Sequence, residues 1–122
     1  MKEVSIAGAR HRIACTQRDG RWVAHAVCLD TGDPFGIECA GDSEAAAVDR
    51  LTRWLTWQAE HAAALAALQQ AERAYHRTIA GSAFANPTEG PTPIEMQRES
   101  LEAVEAARTR LDDIRANKPE TP

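Results

Sequence analysis

The stretch DSEAAAVDRLTRWLTWQAEHAAALAALQQAERAYHRTIA, residues 42–80, contains no glycine and no proline. Alanine and leucine dominate it, and both favour helix because they lose little side-chain freedom there. Asp42 and Ser43 are good N-caps, and Glu44 suits the positive end of a helix dipole. The stretch therefore predicts one helix over roughly 43–80, about 57 Å long at 1.5 Å per residue. A small sheet does not need so long a cover. Plotted at about 100° per residue, Val48, Leu51 and Leu55 cluster on one side. Trp54, Trp57, His61, Leu65, Leu68, Tyr75 and Ile79 form a second stripe, rotated by about a quarter turn or more. A helix whose apolar stripe changes side serves two partners, the first turns a sheet and the later turns something else.

Downstream, residues 81–93 (GSAFANPTEGPTP) form a connection broken by proline and glycine. Thr92-Pro93-Ile94-Glu95 then reads as a capping box with proline at the first helical position. The second helix is expected to run to about Asn117, stopped before Pro119, with residues 118–122 a frayed tail. It carries Met96, Leu101, Val104, Ala107, Leu111 and Ile114 at helical spacing. Antiparallel pairing brings Tyr75 and Ile79 to its start and Leu111 and Ile114 to the region of Trp57 and His61. Alanines 62, 63, 66, 67, 71, 103, 106 and 107 would let the backbones approach closely. Trp54, Trp57, His61, Leu65, Leu68, Tyr75, Leu111 and Ile114 are thus the candidate seam and interface residues.

Upstream lie strands. Residues 3–7 (EVSIA) alternate, with Val4 and Ile6 on one face. Residues 11–29 read as a hairpin with Asp19-Gly20 at its tip, since that dipeptide tolerates positive φ. This register sets Arg18 opposite Arg21, Gln17 opposite Trp22 and Cys15 opposite Ala24. Ile13, Cys15, Trp22, Ala24, Ala26 and Cys28 then form the core face. Gly8 and Ala9 mark a bulge or a break, residues 30–34 (DTGDP) a turn, and FGIECA, 35–40, a third strand. The expectation is an α+β chain (β-β-β-α-α). A three- to four-stranded antiparallel sheet unit over 1–60 is followed by a projecting helical hairpin over 61–117.

The 122 residues carry a formal charge of -4, which argues against a generic polyanion binder. No apolar run is long enough to span a membrane, and Arg10 and Arg12 interrupt any signal-peptide core. Three cysteines, an odd number without metal-type spacing, suit a reducing cytosol and a cytoplasmic location. Cys15, Cys28 and Cys39 each fall on a strand, where free cysteine acts as a small apolar residue. His25 and Cys28 point to opposite faces, against a nucleophile-and-base pair. Glu72 and His76 lie four apart, whereas bundle metal sites use Glu-x-x-His. No cofactor, metal or catalytic residue is expected.

From Asp19-Gly20 and Asp30 through Gly41-Asp42-Ser43 and Glu44-Ala45, residues 11–57 resemble the HicB antitoxin family. That resemblance implies a three-stranded meander with a helix, oligomerisation, a small toxin partner and often a C-terminal DNA-binding segment. A long helical hairpin stands here in place of that segment. Arg12, Arg18 and Arg21, on the hairpin's other face, are the residues through which DNA phosphates would be met. The residues themselves favour a non-enzymatic module that binds a second copy or another protein through the helical hairpin. The alternative is an antitoxin-type regulator of a small toxin.

Overall fold

The computed structural model describes residues 2–82 and 93–120 and has an α+β fold. Strands β1 (Lys2–Ile6), β2 (Ala9–Arg18), β3 (Arg21–Cys28) and β4 (Cys39–Gly41) precede helices α1 (Glu44–Ser82) and α2 (Pro93–Ala116). The strands form one antiparallel sheet in the order β1-β2-β3-β4. The chain divides into two compact units, Met1–Ala59 with Lys118–Pro122, and Glu60–Asn117. Helix α1 contributes residues to both.

In the first unit, two tight turns set the sheet register. Asp19 and Gly20 have φ of 51° and 77°, and the pairs Arg18–Arg21, Gln17–Trp22 and Cys15–Ala24 fall as the sequence predicts. Of the bulge or break expected at Gly8 and Ala9, the chain has a break, formed by a second hairpin turn. Ala7 and Gly8 take φ of 52° and 81°, and Ile6 pairs with Ala9. A two-residue loop switches the parity of the inward positions, which is why even residues of β1 share a face with odd residues of β2. The expected third strand over 35–40 shortens to Cys39–Gly41, preceded by a single bridge between Val27 and Pro34. Proline has no N–H with which to extend a ladder.

Ser43 caps α1, its Oγ accepting the Ala46 N–H at 3.1 Å. The first turns of α1 set Ala47, Leu51, Trp54 and Leu55 against Ile13, Ala24, Ala26 and Cys39. Ala47, Leu51 and Cys39 are wholly buried. Arg50 ties the helix to the sheet margin, donating from Nη1 to the Ala40 carbonyl at 3.0 Å. Cys15, Trp22 and Cys28, expected in the core, are only half-buried.

The frayed tail is corrected for residues 118–120, which belong to this unit. The Trp54 indole N–H donates to the Glu120 carbonyl at 3.1 Å. The Lys118 ammonium lies 5.5 and 5.6 Å from the ring centres of Trp54 and Trp57, within cation–π range. The two indoles meet edge to face at 5.9 Å.

In the second unit, residues 60–82 of α1 and helix α2 join through polar contacts. The Thr78 and Ser100 hydroxyls lie 3.1 Å apart, and Arg115 Nε–H donates to His61 Nε2 at 3.3 Å. These two contacts require antiparallel helices. Thr92, the expected cap, and most of the expected connection lie outside the described residues.

Gly41 packs so closely on α1 that an added Cβ would fall 2.6 Å from the Ala47 backbone nitrogen. Gly41→Ala must displace backbone and is expected to cost about 1–3 kcal/mol in a urea titration. An unchanged midpoint would place α1 farther from the sheet.

Candidate interaction surface

The hairpin unit has an inward stripe on each helix. On α1 it runs through His61, Ala64, Leu65, Leu68, Tyr75 and Thr78, with Ala64 buried and the others half-buried. On α2 it runs through Gln97, Ser100, Val104, Ala107, Leu111 and Ile114, with Val104 and Leu111 buried. The α2 positions recur at three- and four-residue intervals, as one helix face requires.

Of the candidate seam residues, His61, Leu65, Leu68, Tyr75, Leu111 and Ile114 fall in this unit. Trp54 and Trp57 belong to the sheet unit. All eight are buried or half-buried. The exposed apolar surface is therefore made by other residues.

Two expectations change here. Met96 and Leu101 were expected on the inward stripe of α2 but are 45% and 41% exposed, while polar Gln97 and Ser100 turn inward. The Thr78–Ser100 hydrogen bond satisfies the inward hydroxyls, so the polar pair costs little there. Alanines 62, 63, 66, 67, 103 and 106 are exposed and do not serve close approach of the two backbones. Ile79 and Ile94 are exposed as well, Ile94 at 70%. Near its loop-facing end, the hairpin thus presents Ile79, Ile94, Met96 and Leu101 outward. Periodicity named Ile79, Met96 and Leu101 as apolar stripe members. It could not show that Ser100 would supply the inward contact instead.

The sheet face away from α1 presents Arg12, Arg18 and Arg21, as the register predicts. Each lies beside a carboxylate: Arg12 3.7 Å from Glu3, Arg18 3.4 Å from Glu38 and Arg21 4.0 Å from Asp42. Arg10 likewise meets Asp30 at 3.3 Å. These pairs leave that face with little net positive charge, and phosphate binding depends on such charge.

The cysteines differ in their surroundings. Burial pushes the Cys39 thiol up; burial and then the Glu44 carboxylate raise that of Cys15. Cys28 is lowered by the Thr31 side chain, then by the backbone N–H groups of Thr31 and Asp30. His11 is the cross-strand neighbour of Cys28, and its Nδ1 is buried without a hydrogen-bond partner. Among the described residues no three His, Cys, Asp or Glu side chains gather as metal ligands, and no helix is long and apolar enough to cross a membrane.

No family model, no curated protein and no solved structure matches the chain.

Two outcomes are expected from this geometry. With limiting iodoacetamide near neutral pH, Cys28 is alkylated first and Cys39 last, because the thiolate is the reacting species. Thr31→Val raises the pH at which Cys28 reacts, and an order led by Cys39 would contradict both assignments. Trp54→Phe keeps a ring in the core but removes the donor to Glu120. It should cost about 1 kcal/mol and increase exchange of the Lys118 and Glu120 amides, both measurable on the same protein.

Proposed function

We propose that this chain is a non-enzymatic protein-interaction module that associates through the outward apolar residues of its helical hairpin. One observation carries the proposal: near the loop-facing end the ordinary pattern is inverted, with Gln97 and Ser100 turned inward and Ile94, Met96 and Leu101 outward. Turning large apolar side chains to water forgoes about 25 cal/mol for each Å² left unburied. A binding partner that covers them recovers that free energy. Several outward residues along one helical hairpin suit recognition by another helix, whose anchors recur at the same intervals.

The antitoxin-type alternative shares a protein partner but adds contact with DNA. The ion pairs around Arg12, Arg18 and Arg21 weigh against the second part. A duplex titration at low salt separates the two, since phosphate binding would weaken steeply as salt is added.

The proposal is tested by Leu101→Gln beside Val104→Ala. If Leu101 serves association, its replacement changes the stability of the dilute protein by no more than about 0.5 kcal/mol. It should also lower binding of an apolar fluorescent dye. Val104→Ala, by contrast, removes buried methyl groups and costs about 1 kcal/mol or more. A large loss of stability from Leu101→Gln would make that side chain part of the fold and defeat the proposal.

A further inference from the structure

One end of the sheet gathers a thiol, an imidazole, a hydroxyl and a carboxylate. Antiparallel pairing sets His11 of β2 opposite Cys28 of β3. One step along the ladder, the Leu29 N–H donates to the Arg10 carbonyl at 2.8 Å. Arg10 and Leu29 are thus a hydrogen-bonded pair, and the two kinds of pair alternate along antiparallel strands. His11 and Cys28 are therefore a pair of the other kind, whose side chains stand closest. They share the face of Ile13 and Ala26, the pair two residues further along each strand, since side chains alternate with a period of two. Sequence spacing draws attention to His25, which lies on the opposite face. The register supplies His11 on the same face as the thiol.

His11 Nδ1 is buried and has no hydrogen-bond partner. Folding disfavours a buried polar atom left in this way, so its position calls for a chemical reason. An imidazole nitrogen can accept the proton of a neighbouring thiol. Cys28 is half-buried rather than enclosed. Its thiolate is favoured by the Thr31 side chain, then by the Thr31 and Asp30 backbone N–H groups. A tight turn holds those groups in place. The Gly32 N–H donates to the Cys28 carbonyl at 2.7 Å, and the Cys28 N–H to the Asp33 carbonyl at 2.9 Å. The Asp30 carboxylate opposes a thiolate. Arg10 engages that carboxylate, donating from its backbone N–H at 3.2 Å and from Nη2 at 3.3 Å.

From this cluster we propose that Cys28 and His11 form a reversible thiolation site, at which Cys28 takes a small thiol as a mixed disulfide. The co-reactant is a small-molecule disulfide, R–S–S–R. The Cys28 thiol passes its proton to His11, and the thiolate attacks one sulfur of the reagent. The S–S bond of the reagent breaks as the Cys28–S–S–R bond forms. The departing thiolate takes up the proton and leaves as R–SH. Cys28 is oxidised and the departing sulfur is reduced, so the electrons balance. This site lies in the sheet unit and is independent of the interaction reading above.

The full chain is treated with glutathione disulfide near neutral pH, folded and in concentrated urea. Samples are quenched in acid, and each cysteine is followed by peptide mass. Folded Cys28 is expected to react about threefold faster or more than the same residue in urea, since the gain in thiolate outweighs its lower nucleophilicity. Cys15 and Cys39 are expected to react more slowly folded than unfolded. Dithiothreitol should restore the original mass. His11→Gln keeps a polar side chain but takes no proton, and should slow Cys28 by about threefold or more. That deficit should close near about pH 10, where thiols ionise unaided. His11→Phe repeats the test, and circular dichroism melting establishes that the variants fold.

The inference is overturned if wild-type Cys28 reacts no faster folded than unfolded, a result that needs no variant. It is also overturned if both folded variants match the wild type near neutral pH. A deficit that persists undiminished near about pH 10 would make His11 a packing residue and remove the pair.

Discussion

Helix α1 approaches the sheet so closely that the Cβ Gly41 lacks would collide with the backbone of Ala47. This contact fixes where α1 begins. Gly41 supplies the space, Ser43 caps the helix two residues later, and Ala47 and Leu51 become fully buried. A larger residue at 41 or 47 would lift the helix and uncover Ile13, Ala24 and Cys39 together. Half of the core cluster is small, with Ala24, Ala26, Ala47 and Cys39 set among Ile13, Leu51, Trp54 and Leu55. The small residues let the helix approach closely, and the large ones fill the space that remains.

The same helix ends its first task at Trp54 and Trp57. Trp54 is core, yet its indole nitrogen needs an acceptor, since a buried donor left unpaired costs about 1–3 kcal/mol. The Glu120 carbonyl supplies it, while Lys118 stacks over both rings. Residues 118–120 are thereby joined to the unit that holds Met1–Ala59. Elsewhere, the arginines on the far side of the sheet are matched by carboxylates. Charge that looks isolated in the linear sequence has a carboxylate of opposite sign nearby.

The hairpin follows a different rule. Its inward stripes end in polar residues at Thr78 and Ser100, and its large apolar residues at 94, 96, 101 and 79 face outward. A two-helix pair has too little interior to bury every apolar side chain it bears. The division between inward and outward therefore determines which surface remains for association.

Much of this architecture was legible because local rules govern it. Asp19-Gly20 and strict alternation determined the β2–β3 register, and the uninterrupted stretch from 42 to 80 determined α1. Each depends on neighbours within a few residues, where backbone sterics and hydrogen bonding decide. Tertiary structure alone decided that Ser100 rather than Leu101 faces α1, that residues 118–120 return to Trp54, and that β4 begins only at Cys39. It also decided that Arg12, Arg18 and Arg21 have carboxylate neighbours. Those outcomes depend on groups distant in the chain, whose positions are set only when helices and sheet have packed.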